Sequence, residues 1–270
     1  MQTWQWTTWG DRRYLTCSLL APWRHGFFTQ QFWPQLPQDL VQVFHPHAQV
    51  NRVKQVHGNR VLTPSELQQP LGDGQDDTLH AADGLVSDGD TQSLWVCSAD
   101  CVPVLIGDRH TGQVAAIHAG WRGTAARIVP QAIARLQSQG SCLADLQVAM
   151  GPAIAGEVYQ VSKTVAAELG ESLTDRPKED SATASPESIE SVLQKLQNLP
   201  NPPIYPDEHP ERVRIDVRRI NQLQLEHLGL EPQQVAIAPH CTYQSPQDFF
   251  SYRRTKQKQV QWSGILSAST

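Results

Sequence analysis

Residues 93–123 read SLWVCSADCVPVLIGDRHTGQVAAIHAGWRG. Three short apolar runs, 93–98, 102–106 and 113–118, have the length of strands buried on both faces. Pro103 has no N–H to give to a ladder, so it places the second run at a strand start or on a sheet edge. The third run ends at His118 and the glycine-bounded turn AGWRG. From 124 to 138 the apolar residues recur at helical spacing, with Thr124 as the expected N-cap and Pro130 as a kink or restart.

Outward from this centre, strand and helix signals continue to alternate. Residues 50–62, VNRVKQVHGNRVL, carry Val53, Val56, Val61 and Leu62 around a His-Gly turn and predict two short strands, or a strand and a bend. LGDGQDDTLH at 71–80 reads as a loop, DLQVAM at 145–150 as a strand running into Gly151-Pro152, and 161–169 as a helix. A second helix is expected over 216–228, closed by Gly229, followed by a strand in QQVAIAP that leads to His240-Cys241. Between 171 and 212 the composition turns to Pro, Ser, Asp and Glu around one amphipathic stretch, SIESVLQKLQNL, which suggests a flexible insertion. The parts on either side of it need each other, and no internal repeat stands out. The expectation is one α+β domain over 1–270, interrupted at 171–212.

Composition excludes several classes of function. The chain of 270 residues is 39% hydrophobic and 18% charged, with a formal net charge of −5 and no block of Lys or Arg that would track a phosphate backbone. Nucleic acid and anionic membranes are therefore not expected partners. No apolar run approaches the roughly 18 residues of a membrane span, and the N-terminus lacks a basic segment followed by an apolar one. Cys17, Cys97, Cys101, Cys142 and Cys241 make an odd count that suits a reduced compartment, so a cytoplasmic protein is expected.

The chemistry-bearing candidates gather at strand ends. His57 in KQVHG, Cys101 in SADC and His118 in HAGWRG each stand at or just beyond an apolar run, where loops hold functional groups on a rigid sheet. Their spacing does not match a structural zinc knuckle. Two imidazoles and a thiolate can make a tetrahedral zinc site with an open fourth position, which lowers the pKa of bound water to about 7. Two other readings stay open: Cys101 as a nucleophile with His118 as its base, or a core thiol with two strand-end histidines. The strand, glycines and helix start of HAGWRG form an anion-receptive geometry, with Arg122 as a fork of donors for phosphate or carboxylate, or else a tight turn with a solvated arginine. Asp100 can carry a proton, accept a hydrogen bond beside the thiolate, or cap a turn. Cys97 and Cys241 read as core thiols, His45 and His47 as an exposed pair, and Arg253 and Arg254 as cations able to touch an anion.

Taken in order, KQVHG, ADG (82–84), SADCVPVL, HAGWRG, GPAI (151–154), DVRRINQLQ (216–224), HCTY (240–243) and FFSYRR (249–254) resemble the YfiH/laccase-domain family over about residues 25–255. The resemblance implies a YfiH-like α+β fold with mixed β-sheets packed between helices. It implies a zinc-dependent purine nucleoside phosphorylase that also deaminates adenosine and phosphorolyses methylthioadenosine. His57, Cys101 and His118 match the family's metal-binding positions. Asp100, Cys101 and His118 are expected to be catalytic, and Lys54, Arg122 and Arg253 to bind substrate or phosphate. Purine nucleosides and phosphate are the expected partners, and the oligomeric state stays open, a monomer included. Two departures stand out: Gln30 follows HGFFT (25–29) where the family commonly has Arg, and Glu157 lies after GPAIAG where a small residue is common.

The family's older label is copper polyphenol oxidase. A multicopper oxidase needs a mononuclear site plus a trinuclear cluster rich in paired histidines, whereas this chain has ten His and one H-x-H. Laccase chemistry is disfavoured, although Cu²⁺ can occupy a His₂Cys site adventitiously. A Cys-dependent hydrolase and a non-enzymatic accessory protein are the remaining alternatives.

Overall fold

In the computed structural model of the chain, which describes residues 3–69, 79–174 and 186–268, the three runs of 93–118 are consecutive strands divided between two sheets. In chain order the first elements are β1 (Trp4–Trp9), β2 (Arg12–Cys17), β3 (His25–Phe28), α1 (Pro37–Leu40), β4 (Gln49–Arg52), β5 (Val61–Leu62), α2 (Pro64–Leu67) and β6 (Gly84–Val86). There follow β7 (Gln92–Ser98), β8 (Val102–Asp108), β9 (Val114–Ala119), α3 (Trp121–Ala125), α4 (Ile128–Ser138), β10 (Leu146–Met150), β11 (Gln160–Ser162) and α5 (Lys163–Glu171). The last third adds α6 (Pro186–Gln197), β12 (Ile204–Tyr205), β13 (Arg212–Ile215), α7 (Val217–Leu228), β14 (Val235–Ile237), α8 (Tyr252–Thr255) and β15 (Gln261–Leu266).

The strand orders are β1-β2-β3-β15-β7-β4 in one sheet, β14-β10-β8-β9-β6-β5 in the second, and β11-β13-β12 in a small third. The pairs β4–β7, β5–β6 and β10–β14 are parallel among otherwise antiparallel neighbours, so both large sheets are mixed. The two-residue period of a strand explains the layering. On β7, Leu94 and Val96 enter a core that also holds Leu105 of β8 and Ala116 of β9, while Trp95 turns the other way onto Phe28 and Phe44. On β8, Val104 and Ile106 face a third layer, where Ile128 and Ile133 of α4, Leu169 of α5 and Leu225 of α7 cover the second sheet. The mixed sheets thus lie between helical layers, as the resemblance implies. No helix among the described residues is long and apolar enough to cross a membrane.

The helix expected over 216–228 is present as α7, closed by Gly229. Asp216 caps α7 by accepting the N–H groups of Arg218 and Arg219, and Gly229 ends it in the left-handed conformation at φ 95°. Other expectations are corrected. The helix after HAGWRG starts at Trp121, with Gly120 as its extended N-cap, and Thr124 is buried inside it with its hydroxyl accepting from Asn221 at 3.0 Å. Arg127, at φ 59°, interrupts the helix, and α4 restarts with Pro130 in its first turn, where a missing N–H costs nothing.

The stretch expected to be a flexible insertion is packed over 186–212. Helix α6 buries Leu193 and Leu196 in the main core, and β12 and β13 pair with each other. The amphipathic stretch SIESVLQKLQNL supplies that narrow apolar stripe, and it anchors a segment whose polar, proline-rich flanks suggested flexibility. Residues 175–185 lie outside the described residues, as does the expected loop at 71–80 apart from Leu79 and His80. Strands β1, β2 and β15 were not anticipated from the sequence. They complete the first sheet, and β15 pairs with β7 from Gln261↔Ser98 to Leu266↔Ser93.

Candidate metal centre

Strand register brings Cys101 and His118 together. In the β8–β9 ladder Val102 faces Ala119 and Pro103 faces His118, so Cys101, one residue before β8, meets His118 near the end of β9. The chain reaches that point from β7 through Asp100, which adopts φ 95° to turn from one sheet to the other. His57 enters from the loop between β4 and β5. Ligand atoms of His57, Cys101 and His118 all lie within 4.8 Å of one another, and the two imidazole centroids are 4.8 Å apart with planes crossing at 81°.

A carboxylate behind the cluster holds two of the three donors. Asp83 immediately precedes β6, whose Gly84 pairs with Ile117, so it lies beside His118 and is fully buried. Its Oδ1 accepts from His118 Nδ1 at 2.9 Å and from the His57 N–H at 2.9 Å. Its Oδ2 accepts from the N–H groups of Val56 at 3.1 Å and Gly58 at 2.7 Å. Its carbonyl accepts the His118 N–H at 2.7 Å. Asp83 thereby holds a proton on His118 Nδ1, so Nε2 is the nitrogen left to take a metal. His57 sits at φ 60°, a region uncommon for a residue with a side chain, and the three successive N–H bonds to Asp83 hold it there.

The electrostatics favour a thiolate. Burial alone would raise the Cys101 pKa, but the charge of His118 beside it, with hydrogen bonds from His118 and His57, brings it down to about 6. Burial likewise opposes protonation of His118, yet the Cys101 thiolate and the Asp83 carboxylate raise it to about 9. A thiolate beside an imidazole is the donor pair that a metal ion would take, in exchange for a proton. Cys97, four residues before, is pushed up to about 11 by burial and stays a thiol.

The cluster has room for an ion because residue 120 has no side chain. A Cβ there would stand 3.0 Å from Cys101 Sγ, 3.2 Å from His57 Cδ2 and 3.8 Å from His118 Cε1. One thiolate and two imidazoles are the soft and borderline donors that Zn²⁺ takes in three-ligand sites, so donor set and space fit a resident metal.

The family follows from comparison. A family model described as multi-copper polyphenol oxidoreductase laccase matches residues 38–266. The chain belongs to this family. Among its laccase-family relatives, a purine nucleoside phosphorylase of Synechocystis sp. is 53% identical over 98% of this chain and 97% of its own length. An adenosine deaminase from an unknown prokaryotic organism is 29% identical over 74% of this chain and 68% of that protein. The crystal structure of YlmD from Geobacillus stearothermophilus shares the fold, with a TM-score of 0.76, 23% identity and coverage of 98% of this chain and 99% of that one.

In this member of the laccase family the other expected site residues separate into two groups. Asp100 does not turn to the thiolate: its Oδ1 accepts the Thr242 hydroxyl at 2.7 Å, and its Oδ2 accepts the Arg253 N–H at 2.7 Å in the first turn of α8. Arg253 lies with its guanidinium 4.9 Å from the Tyr159 ring centroid and donates to the Gln160 carbonyl at 2.9 Å. Arg122 is exposed and stacks on Trp121 at 4.3 Å. Lys54 is exposed, its main chain paired with His80 and Ala82, and belongs to the loop that carries His57. Arg254 is occupied with the carbonyls of Thr242, Tyr243 and Phe249.

Asp83 and Tyr159 went unrecognised as site residues in the sequence. The only trace of Asp83 was the short ADG match, and nothing in the surroundings of Tyr159 marked it. Burial, then the charges of Cys101 and Asp100, raise the Tyr159 hydroxyl to about 12 against the lowering effect of Arg253 and Arg122. That residue therefore stands within electrostatic reach of the thiolate, the carboxylate and both arginines. A cavity of about 540 Å³ lies elsewhere, lined by Tyr205, Asp216, Arg218 and Pro239.

Proposed function

We propose that the chain is a zinc-dependent purine nucleoside phosphorylase of one catalytic domain, acting in the cytoplasm, that converts a nucleoside and phosphate into free base and ribose 1-phosphate. Deamination of adenosine and phosphorolysis of methylthioadenosine would be side activities. The observation that carries this reading is the meeting of His57, Cys101 and His118 in a chain aligned end to end with a relative named purine nucleoside phosphorylase. Bound by these three residues, zinc would supply Lewis acidity at an open coordination position.

The protein's own groups account for the rest. Arg122 lies against the Trp121 ring and Arg253 against the Tyr159 ring, and guanidinium groups hold phosphate oxygens through paired N–H bonds. They would orient phosphate so that one oxygen attacks C1′ as the bond from C1′ to the base nitrogen breaks and that nitrogen gains a proton. Lys54 would add positive charge from the His57 loop. Asp100 would hold the start of α8, and with it Arg253, in place. Tyr159 keeps its proton at neutral pH and would give the nucleoside a neutral hydrogen-bond donor.

A second reading has an observation in its favour. Cys101, His118 and Asp83 stand in the order nucleophile, base and orienting carboxylate, the arrangement of a cysteine hydrolase. His57 weighs against it, since a triad has no use for a third donor held within 4.8 Å of the other two. The multi-copper label has less support. Among the described residues this is the one group able to hold a metal, and three donors do not make a trinuclear cluster. Copper would be an adventitious occupant.

The test is to incubate the purified protein with inosine and with adenosine, with and without phosphate, and separate the products. Phosphate-dependent release of the base, lost in His118→Ala, is expected. Metal-replete protein that turns over no purine nucleoside would refute the reading.

A further inference from the structure

We infer that Asp83 is the positioning residue of the metal centre, a single carboxylate that sets both histidine ligands at once. The inference rests on the metal reading above and deepens it. A metal-binding imidazole commonly donates its second ring N–H to a carboxylate, which fixes tautomer and ring direction. Asp83 does this for His118 through Oδ1 at 2.9 Å. It also takes the backbone of the other ligand, since the N–H groups of Val56, His57 and Gly58 all point at its two oxygens, at 3.1, 2.9 and 2.7 Å.

The two functions need each other. His57 is exposed and its ring reaches the Cys101 thiolate from a backbone at φ 60°, a conformation that the three N–H bonds to Asp83 support. Asp83 is in turn fixed by its main chain: its N–H donates to the Arg60 carbonyl at 3.0 Å and its carbonyl accepts from His118 at 2.7 Å. The loop after His57 is closed at the start of β6, the strand that pairs with the His118-bearing end of β9. A change at Asp83 therefore releases two donors together, whereas a change at either histidine removes one.

The experiment compares wild type with Asp83→Asn, which keeps the side-chain shape but replaces one acceptor oxygen with an NH₂ group. Zinc affinity is measured by competition with a chelator, and amide exchange is followed in the same samples. Expected are a weakening of zinc binding by about 10–100-fold and faster exchange at Val56, His57 and Gly58, with the β8 and β9 amides unchanged. Folded Asp83→Asn that binds zinc within twofold of wild type would overturn the inference.

If that variant does not fold, the wild type alone decides. Nitrogen-15 NMR of the zinc-loaded protein should find the His118 proton on Nδ1, and a proton on Nε2 would overturn the inference. Wild-type protein that takes up no zinc would instead defeat the metal reading on which the inference rests.

Discussion

Gly120 and Cys101 approach so closely that a methyl group on Gly120 would lie 3.0 Å from the Cys101 sulfur. The backbone of Gly120, at φ −70° and ψ 169°, is open to any residue, so the demand for glycine here is one of space. Gly120→Ala should fold, losing about 1–3 kcal/mol as overpacked sites do. Zinc occupancy and turnover should fall much further, because the added carbon crowds all three donors. Metal analysis and a urea titration on the same preparation separate the two effects. Full occupancy with full activity would mean that the cluster is not where the ion binds.

Asp100 should act by position rather than by carrying a proton. Its oxygens are engaged by the Thr242 hydroxyl and the Arg253 N–H, and hydrogen bonds to a charged group are worth about 1.5–3 kcal/mol each. Thr242→Val is expected to lower stability by that order and to raise KM for phosphate through Arg253. Asp100→Asn should leave the shape of the pH–rate profile intact while reducing its height. Loss of one limb of that profile would make Asp100 the acid or base.

Arg122→Lys should raise the phosphate KM more than the nucleoside KM, because a point charge replaces a two-pronged donor. Arg253→Lys should do the same and also loosen the contact with Tyr159. Equal effects of Arg122→Lys on both substrates, measured by initial rates, would assign it a structural role.

Acid should weaken the fold partly through Asp108. Burial favours its protonated form, but the N–H groups of Thr111 and His110, which donate to Oδ1 at 3.0 and 2.7 Å, outweigh burial and hold its pKa below the ordinary carboxylate value. A carboxylate lowered on folding stabilises the native state above its unfolded pKa, about 3.9. That contribution disappears as the pH falls through the lower folded value. In urea titrations at pH 7 and pH 3, the stability gap between wild type and Asp108→Ala should narrow at the lower pH. A gap that widens on acidification would contradict the assignment.

What the sequence revealed and what it concealed follow from range. His57, Cys101 and His118 each end a strand-like run beside a glycine or an aspartate, and those local signals are legible one at a time. Asp83 works only through partners 25 to 35 residues away, so nothing around ADG could mark it. The β1–β2 hairpin was visible in principle, since TTWGDRR carries a Gly-Asp turn between β-prone residues, but the sheet it enters through β3 joins the two ends of the chain, because β3 pairs on its other side with β15. Thr124 shows the opposite failure. A good N-cap residue stands in the right neighbourhood, but the helix begins earlier at Gly120, and the hydroxyl is used by Asn221 of α7 instead.

The central claim is that His57, Cys101 and His118 hold the ion on which nucleoside phosphorolysis depends. The most direct measurement is to strip the purified protein with a chelator, return zinc in small steps, and follow hypoxanthine release from inosine in phosphate buffer. Activity should rise in proportion to added zinc and break at one equivalent per chain, with no rise for Cys101→Ala. Stripped protein that retains its full rate, or protein that releases no hypoxanthine at any level of zinc, would contradict the account.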